Sequence, residues 1–226
     1  MTLVDRSGSC ANITLIVGDV CYVANVGDSR AVLSSSGGKK VTSLSKDHKP
    51  CDIDEYKRIT GAGGQVYQTT TSQKKQDSEE YEYTVGPIRV LPGRLSVCRT
   101  IGDPDAKLEA RGGNSKVVTA TPDIRKFKIS GEHDFIVLGC DGIFDKMSND
   151  DVCKSVWLTC DTLKEQTKEQ TSIHQYCGIG AESVLKNSLY RQSLDNVTVV
   201  LIAFQNFQKL LTQDDPTSDQ EELSGH

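Results

Sequence analysis

The first 45 residues consist largely of short apolar runs that are rich in β-branched residues. Turn sequences separate these runs. Gly-Asp and Gly-Gly pairs lie between the runs, and these pairs favour tight turns. Apolar runs of this length between such turns are typical of consecutive antiparallel strands. The sequence therefore predicts a β-meander over 12–17, 20–26, 30–34 and 41–44.

Three helices are predicted from capping residues and apolar spacing. Asp52 is expected to begin a short helix over 53–60, with Glu55 at the capping-box position. Ser148 is expected to begin a longer helix that runs to about residue 160. Acidic residues in the first turn of this helix support its start, because they interact favourably with the helix dipole. A further helix is predicted over roughly 180–192.

The second half of the chain also predicts strands. Alternating apolar and charged residues at 124–129 and an apolar run at 135–138 indicate a hairpin that enters the core. A continuous apolar run at 197–204 is typical of a buried strand.

We expect one globular domain over 1–206, followed by an acidic, disordered tail over 207–226. The stretch at 69–82 is polar and poor in aliphatic residues. It is therefore predicted to be a poorly ordered surface insertion.

The chain has 26 Lys and Arg residues and 31 Asp and Glu residues, which gives a net charge of -5. This charge balance excludes a basic surface for binding nucleic acid. No apolar run approaches the length that a membrane helix needs. The eight cysteines show no Cys-x-x-Cys spacing, and the first residues do not resemble a signal peptide. We therefore expect reduced thiols and a cytoplasmic or nuclear location. We also expect a monomer.

Several catalytic motifs are absent from the sequence. It has no P-loop, no His-Glu-x-x-His, no Gly-x-Ser-x-Gly and no Cys followed six positions later by Arg. P-loop and cysteine-phosphatase chemistry are therefore disfavoured. The four histidines show no pairing at helical spacing, which also disfavours a zinc site.

Aspartates recur where an apolar run meets a loop, at Asp28, Asp141 and Asp195. If these strand ends converge, the clustered carboxylates would repel one another unless a divalent cation lay between them. Ligation by oxygen alone, without His or Cys, selects Mg²⁺ or Mn²⁺. The three residues are therefore candidate metal ligands.

Each of these aspartates, taken alone, also fits an ordinary turn residue. Asp141 is the exception, because it directly follows the apolar run 135–140, where an unpaired charge would be costly. Gly142 would let the backbone approach an ion closely. Asp145 fits either a place beside that ion or a helix-entry role, and Asn196 adjoins the third aspartate.

Six motifs together resemble a known family. In chain order they are Val-Ala-Asn-Val-Gly-Asp-Ser-Arg-Ala-Val (23–32), Leu-Ser-Lys-Asp-His-Lys-Pro (44–50), Gly-Arg-Leu-Ser-Val-Cys-Arg-Thr-Ile-Gly-Asp (93–103), Thr-Pro-Asp-Ile (121–124), Leu-Gly-Cys-Asp-Gly-Ile-Phe-Asp (138–145) and Asp-Asn-Val-Thr (195–198). This series is similar to the metal-dependent type-2C serine/threonine protein phosphatases, the PPM family. The likeness covers nearly the whole chain.

The resemblance implies an α+β fold, an antiparallel β-sandwich flanked by helices, with two or three Mg²⁺ or Mn²⁺ ions at one end. Asp141 and Asp195 match the family's metal ligands, and Asp28 matches an acidic position associated with a third, weaker metal. The implied reaction is attack of a metal-activated water on a phosphoserine or phosphothreonine of a phosphoprotein substrate. It requires no covalent intermediate on a cysteine.

The chain also departs from the family pattern. The family's amino-terminal Glu-Asp pair, its Asp-Gly-His-Gly-Gly motif and its phosphate-binding arginine have no counterpart here. No catalytic residue is therefore assigned, and we expect an amino-terminally truncated, incomplete catalytic domain. The alternative is a non-catalytic pseudophosphatase fragment that acts as a protein-binding module, and a misassigned start codon would also explain the difference.

Two further positions receive structural interpretations. We interpret His48 as a residue that fixes a turn rather than one that transfers protons. Arg99 and Asp103 are expected to organise the core and a loop rather than to contact substrate.

Overall fold

A computed structural model describes residues 5–74, 79–167 and 171–212 of the chain. Its strands are β1 (Gly8–Ser9), β2 (Ala11–Val17), β3 (Val20–Val26), β4 (Arg30–Ser35), β5 (Lys40–Ser43), β6 (Gln65–Lys74), β7 (Tyr81–Leu91), β8 (Ile101–Gly102), β9 (Asp123–Lys128), β10 (His133–Gly139) and β11 (Val199–Ala203). Its helices are α1 (Ile53–Gly61), α2 (Pro104–Lys107), α3 (Asp141–Phe144), α4 (Asn149–Gln166), α5 (Ile173–Tyr190) and α6 (Gln205–Thr212), with a 3₁₀ turn at Glu109–Arg111.

The chain divides into two compact units. The first comprises Met1–Ala31 with Leu44–Lys128, and the second comprises Val32–Ser43 with Ile129–His226. Strand β4 passes from the first unit into the second. Within the described ranges, no helix combines the length and the apolar character needed to cross a bilayer.

The first unit is built on an antiparallel sheet in the order β2-β3-β9. The four predicted strands are confirmed as β2 to β5, and Gly18 occupies the turn between β2 and β3 with φ of +59°. The predicted meander is wrong, because β3 and β4 belong to different sheets: β3 pairs with β2 and β9, and β4 pairs with β5 and β10. A small apolar core lies under α1 and the β6–β7 ribbon. Its buried members are Ile59, Val90, Cys98, Ala106, Val117 and Val118.

The segment predicted as a poorly ordered insertion forms part of this ribbon. Residues 69–74 belong to β6 and residues 81–82 to β7, while 75–78 lie outside the described residues. The prediction was wrong for the described part because it relied on the lack of aliphatic residues. A ribbon exposed to solvent needs no apolar face, and its threonine-rich strand has high β-propensity.

The second unit is built on a sheet in the order β11-β10-β4-β5. Helix α4 packs against β5, α5 against β11 and α6 against β10. Three aromatic rings meet in the core, with centroid distances of 4.9 Å between Phe135 and Phe207 and 5.0 Å between Trp157 and Phe207. Antiparallel sheets combined with helices confirm the predicted mixed architecture, and the packing of the sheets as a sandwich stays a prediction.

The helices of the second unit are longer than the sequence predicted. Helix α4 begins after Ser148 as expected, and it continues to Gln166. Helix α5 begins at Ile173, where Ser172 and Gln175 form a capping box that our sequence interpretation missed.

The carboxyl-terminal end of the described chain also differs from expectation. Strand β11 lies at the edge of its sheet and is only partly buried, since Val200 is 52% exposed. Residues 207–212 belong to α6 rather than to a disordered tail, because Phe207 and Leu211 pack into the core. The rest of the predicted tail, 213–226, lies outside the described residues.

Asp134 provides a first test of this fold. Its carboxylate is 0% exposed and accepts hydrogen bonds from Ser34 Oγ (2.9 Å), Gly37 N (3.2 Å), Gly38 N (3.1 Å) and Asn206 Nδ2 (2.7 Å). Asp134→Ala is expected to lower the free energy of unfolding by about 3 kcal/mol, because these donors lose a charged acceptor. Urea denaturation measures the loss, and a loss below about 1 kcal/mol would contradict this account.

Candidate functional site

Asp141 and Asp195 lie on two turns that contact each other in the second unit. Asp141 follows the carboxyl end of β10, and Asp195 precedes the amino end of β11. These strands are antiparallel neighbours, with Gly139 opposite Val199, so the two ends lie side by side. The register of the two strands thus brings together two aspartates that are far apart in sequence.

The Cys140 thiol joins the two turns directly. Its Sγ donates to Asn196 O at 3.0 Å and accepts from Thr198 N at 3.2 Å. The Cys140 backbone N–H also donates to Thr198 O at 3.2 Å. The residues before Asp141 and after Asp195 are therefore held in a fixed relation.

Gly142 makes the closest approach between the turns. A Cβ atom at this position would lie 2.3 Å from Asn196 O, a distance that real Cβ atoms do not show. Ser193 Oγ donates to Gly142 O at 2.7 Å. The close approach of the two backbones thus requires a glycine at this position, and the roles of Gly142 and Asn196 beside a cation stay a prediction.

Each aspartate is oriented by its own turn. Asp141 Oδ1 accepts from Gly142 N at 2.9 Å, and Asp195 Oδ1 accepts from Asn196 N at 2.7 Å. In the part of the chain that the structure describes, these are the hydrogen bonds that engage the two carboxylates. Asp141 is half-buried and Asp195 is exposed, so both can be reached from solvent.

Asp145 lies one turn beyond Asp141, at the end of α3. Its backbone N–H donates to Asp141 O at 2.8 Å, and its side chain is exposed. Its backbone therefore completes the helical turn that Asp141 begins. Its backbone thus has a helical role, and a place of its carboxylate beside an ion stays a prediction.

Asp28 belongs to the first unit and follows β3 after one intervening residue, Gly27. It is 7% exposed, and its Oδ1 accepts a hydrogen bond from Cys10 Sγ at 3.5 Å. Lys49 Nζ lies 3.8 Å from Asp28 Oδ2. The carboxylate is thus buried beside a cationic side chain.

The residues at the two turns fit a hard divalent cation in part. Among the described residues, no group of three or more His, Cys, Asp or Glu side chains is arranged to hold a metal ion. Mg²⁺, however, retains several waters and is commonly held by one or two carboxylates together with phosphate oxygens. Two carboxylates on touching turns supply donors of that kind.

A buried charge cluster in the first unit was missed by sequence reasoning. Glu55 does not close a capping box, because Asp52 alone caps α1. The Glu55 carboxylate instead accepts from Arg99 Nη2 at 2.5 Å, from Arg58 Nη2 at 2.7 Å and from Cys98 Sγ at 3.0 Å. The Glu-x-x-Arg spacing within α1 was the one local signal of this cluster.

The cluster determines the charge state of Glu55. Burial alone would raise the pKa of this carboxyl, yet the hydrogen bonds from Arg99 and Arg58 outweigh it and hold the pKa well below its usual range. Arg99 Nη1 also donates to Asp123 Oδ1 at 2.8 Å. Arg99 therefore organises the core of this unit, as the sequence interpretation expected.

Gly142→Ala tests whether the contact between the turns matters. The added methyl group must push the Asn196 backbone away, which is expected to destabilise the protein by about 1–3 kcal/mol and to weaken Mn²⁺ binding. Thermal unfolding and calorimetric titration with Mn²⁺ measure the two effects. Gly178→Ala in α5 is the matched control, because a Cβ there meets open space. Equal behaviour of the two variants would contradict the contact.

The chain is similar to known protein phosphatases over most of its length. The family model "Protein phosphatase 2C" matches residues 1–177. Human protein phosphatase 1B is 32% identical over 223 residues, which cover 98% of this chain and 39% of that protein. The chain thus spans less than half the length of such relatives.

Solved structures show the same likeness. A phosphatase from a pathogenic strain of Toxoplasma gondii aligns with a TM-score of 0.58 and 30% identity, over 83% of this chain and 48% of the other. A C. elegans sex-determining protein aligns with a TM-score of 0.68 and 22% identity, over 91% of this chain and 42% of the other. The second match bears on the fold alone.

Proposed function

Because the chain belongs to the protein phosphatase 2C family, we propose that its residues contribute to metal-dependent dephosphorylation of phosphoserine and phosphothreonine in proteins. The observation that carries the proposal is the contact between the Asp141 and Asp195 turns, at Gly142 and Asn196. Two carboxylates held in this way suit Mg²⁺ or Mn²⁺ together with a phosphate.

In this proposal Asp141 and Asp195 hold the cation. The backbone around Gly142 holds the two turns that carry these carboxylates against each other. A bound divalent cation would supply an acidified water and would neutralise phosphoryl oxygens. The exposure of Asp195 leaves the site open to a phosphorylated side chain at the protein surface. Asp28 is proposed as the ligand of a further cation in the first unit.

A second candidate function is a protein-binding module without catalysis. An apolar face of the β2-β3-β9 sheet supports it, because Ile13, Leu15, Val17 and Ile124 are each more than half exposed. The strand register places these four side chains on the same face. Exposed apolar patches on soluble proteins often mark sites of protein association.

A phosphatase assay distinguishes the two functions. The full chain is incubated with a phosphothreonine peptide, and release of phosphate is measured as Mn²⁺ is raised and then removed with a chelator. We expect release that depends on Mn²⁺. If no phosphate is released at any Mn²⁺ concentration while the protein remains folded, catalysis by this chain is excluded and the binding module is favoured.

A further inference from the structure

The Cys140 thiol forms hydrogen bonds in both directions between the two turns of the candidate site. Its S–H donates to Asn196 O at 3.0 Å, and its sulfur accepts from Thr198 N at 3.2 Å. Cys140 directly precedes Asp141, whereas Asn196 and Thr198 follow Asp195. The thiol thus links the residue before one aspartate to residues after the other.

A second side chain joins the opposite ends of the same turns. Ser193 Oγ donates to Gly142 O at 2.7 Å. Gly142 directly follows Asp141, and Ser193 lies two residues before Asp195. Each aspartate is therefore bracketed along the chain, because a hydrogen bond between the turns lies on both of its sides.

Both links come from residues that regular elements hold in place. Cys140 directly follows β10, whose last residue, Gly139, is paired with Val199 of β11. Ser193 is held at the end of α5, because its N–H donates to Ser188 O at 3.1 Å. Ser188 is 0% exposed, so this end of the helix is fixed in the interior. Sites supported by strands and helices are held more precisely than sites on loops alone.

The end of α5 also sets the direction in which the chain leaves the helix. Gln192 N donates to Leu189 O at 2.9 Å, and the φ angle of Gln192 is +61°. Together with the bond from Ser193 N to Ser188 O, this left-handed residue forms a Schellman motif. The motif turns the chain toward the Asp141 turn, where the Ser193 hydroxyl reaches its acceptor.

We propose that Cys140 and Ser193 are positioning residues for the cation site: by linking the two turns on both sides of the aspartates, they hold the Asp141 and Asp195 carboxylates in the relation that a shared cation requires. The inference rests on the proposed function, which assigns a cation to these two aspartates. Mg²⁺ demands near-ideal geometry of its oxygen ligands, so a small shift of one turn lowers affinity. Residues that orient a metal ligand commonly change metal affinity by about 10- to 100-fold when they are replaced.

Two pairs of substitutions separate hydrogen bonding from packing. Cys140→Ala removes both the donor and the acceptor of the thiol, and Cys140→Ser restores a group that donates and accepts. Ser193→Ala removes the hydroxyl donor, and Ser193→Thr restores it. If these hydrogen bonds position the aspartates, each alanine variant loses Mn²⁺ affinity and its polar counterpart recovers it.

Two matched controls remove similar groups from another part of the same unit. Cys160 Sγ donates to Tyr176 O at 3.4 Å, and Ser183 Oγ donates to Ser155 O at 3.2 Å, in both cases between α4 and α5. Cys160→Ala and Ser183→Ala therefore remove a link between elements without changing the two turns. A role in stability alone would leave the Mn²⁺ affinity of the folded protein unchanged, as in these controls.

Two measurements on the full chain provide the readout. In calorimetric titrations, we expect the dissociation constant for Mn²⁺ to be about 10- to 100-fold higher in Cys140→Ala and Ser193→Ala than in the wild type. Cys140→Ser, Ser193→Thr and both controls are expected to stay close to the wild type. In the metal-free protein, hydrogen exchange of the Thr198 amide should be faster in Cys140→Ala and slow again in Cys140→Ser.

The outcomes separate the positioning role from the proposed function. If the wild type binds Mn²⁺ and the alanine variants bind it equally well, or if the polar variants bind it as weakly as the alanine variants, the positioning role alone is wrong. Unchanged exchange of the Thr198 amide would contradict the thiol link in the absence of any cation. A wild type that binds no Mn²⁺ overturns the proposed function and this inference together.

The Ser193 variants keep the test decisive if Cys140→Ala does not fold. Ser193 is half-buried, and its replacement by alanine removes one oxygen atom. Weaker Mn²⁺ binding in Ser193→Ala that Ser193→Thr restores would then support the positioning role. Equal binding by these two variants would overturn it.

Discussion

Replacement of Glu55 by alanine is expected to lower the free energy of unfolding by about 3–5 kcal/mol. The Glu55 side chain is 5% exposed, and Arg99, its partner, is 13% exposed. Without the carboxylate, Arg58 would lose its ion pair with Glu55, and Arg99 would keep only the half-exposed Asp123 as a partner for its buried charge. Breaking a buried ion pair from one side is therefore far more costly than removing a surface pair.

Urea denaturation of the wild type and the variant measures this loss. Glu182→Ala is the matched control, because Glu182 pairs with Lys186 on the exposed surface of α5 and its side chain is 57% exposed. The control should change the free energy of unfolding by less than about 1 kcal/mol. A Glu55 variant that is as stable as the control would show that the cluster does not support the fold.

The same residue gives the stability a pH dependence of known sign. The pKa of Glu55 is lower in the folded than in the unfolded chain, so its stabilisation is fully present above the unfolded value of about 4.3. It is lost as the pH falls toward the lower folded value. The difference in unfolding free energy between wild type and Glu55→Ala should therefore shrink below about pH 4. A difference that stays constant over that range would contradict the assignment.

Asp141→Asn is expected to reduce Mn²⁺-dependent phosphate release by at least about 100-fold. The amide keeps the size of the side chain and can still accept from Gly142 N, but it removes the negative charge that would hold the cation. The measurement is kcat/KM for a phosphothreonine peptide at several Mn²⁺ concentrations.

Asp150→Asn is the matched control for the loss of phosphate release in Asp141→Asn, since Asp150 is an exposed aspartate in the first turn of α4. It should leave phosphate release close to the wild-type rate. If Asp141→Asn behaves like this control, the cation is held elsewhere and the role given to the Asp141 turn is wrong.

Local signals in the sequence were sufficient for much of the fold. Strands β2 to β5 follow from apolar runs and turn pairs, although their division between two sheets does not, and α4 begins at its predicted cap, Ser148. The threonine-rich segment 69–74 was misassigned because strand formation there does not depend on an apolar face. The start of α5 was missed because its capping box precedes the region where apolar spacing is clear.

The candidate site shows the same division between local and long-range information. The aspartates could be found from the sequence, since each stands where a strand meets a loop. The contact between the turns that carry Asp141 and Asp195 depends on the pairing of β10 with β11, which joins residues far apart along the chain. The partnership of Glu55 with Arg99 is also long-range, and the local capping pattern at Glu55 indicated a different role.

The central claim is that Asp141 and Asp195 hold one shared cation. Calorimetric titration with Mn²⁺ of the wild type, the two single Asn variants and the double variant tests it most directly. If the cation is shared, each single substitution removes most of the binding, and the double substitution removes little more than either one alone. Losses that add independently, or a wild type that binds no Mn²⁺, would contradict the claim.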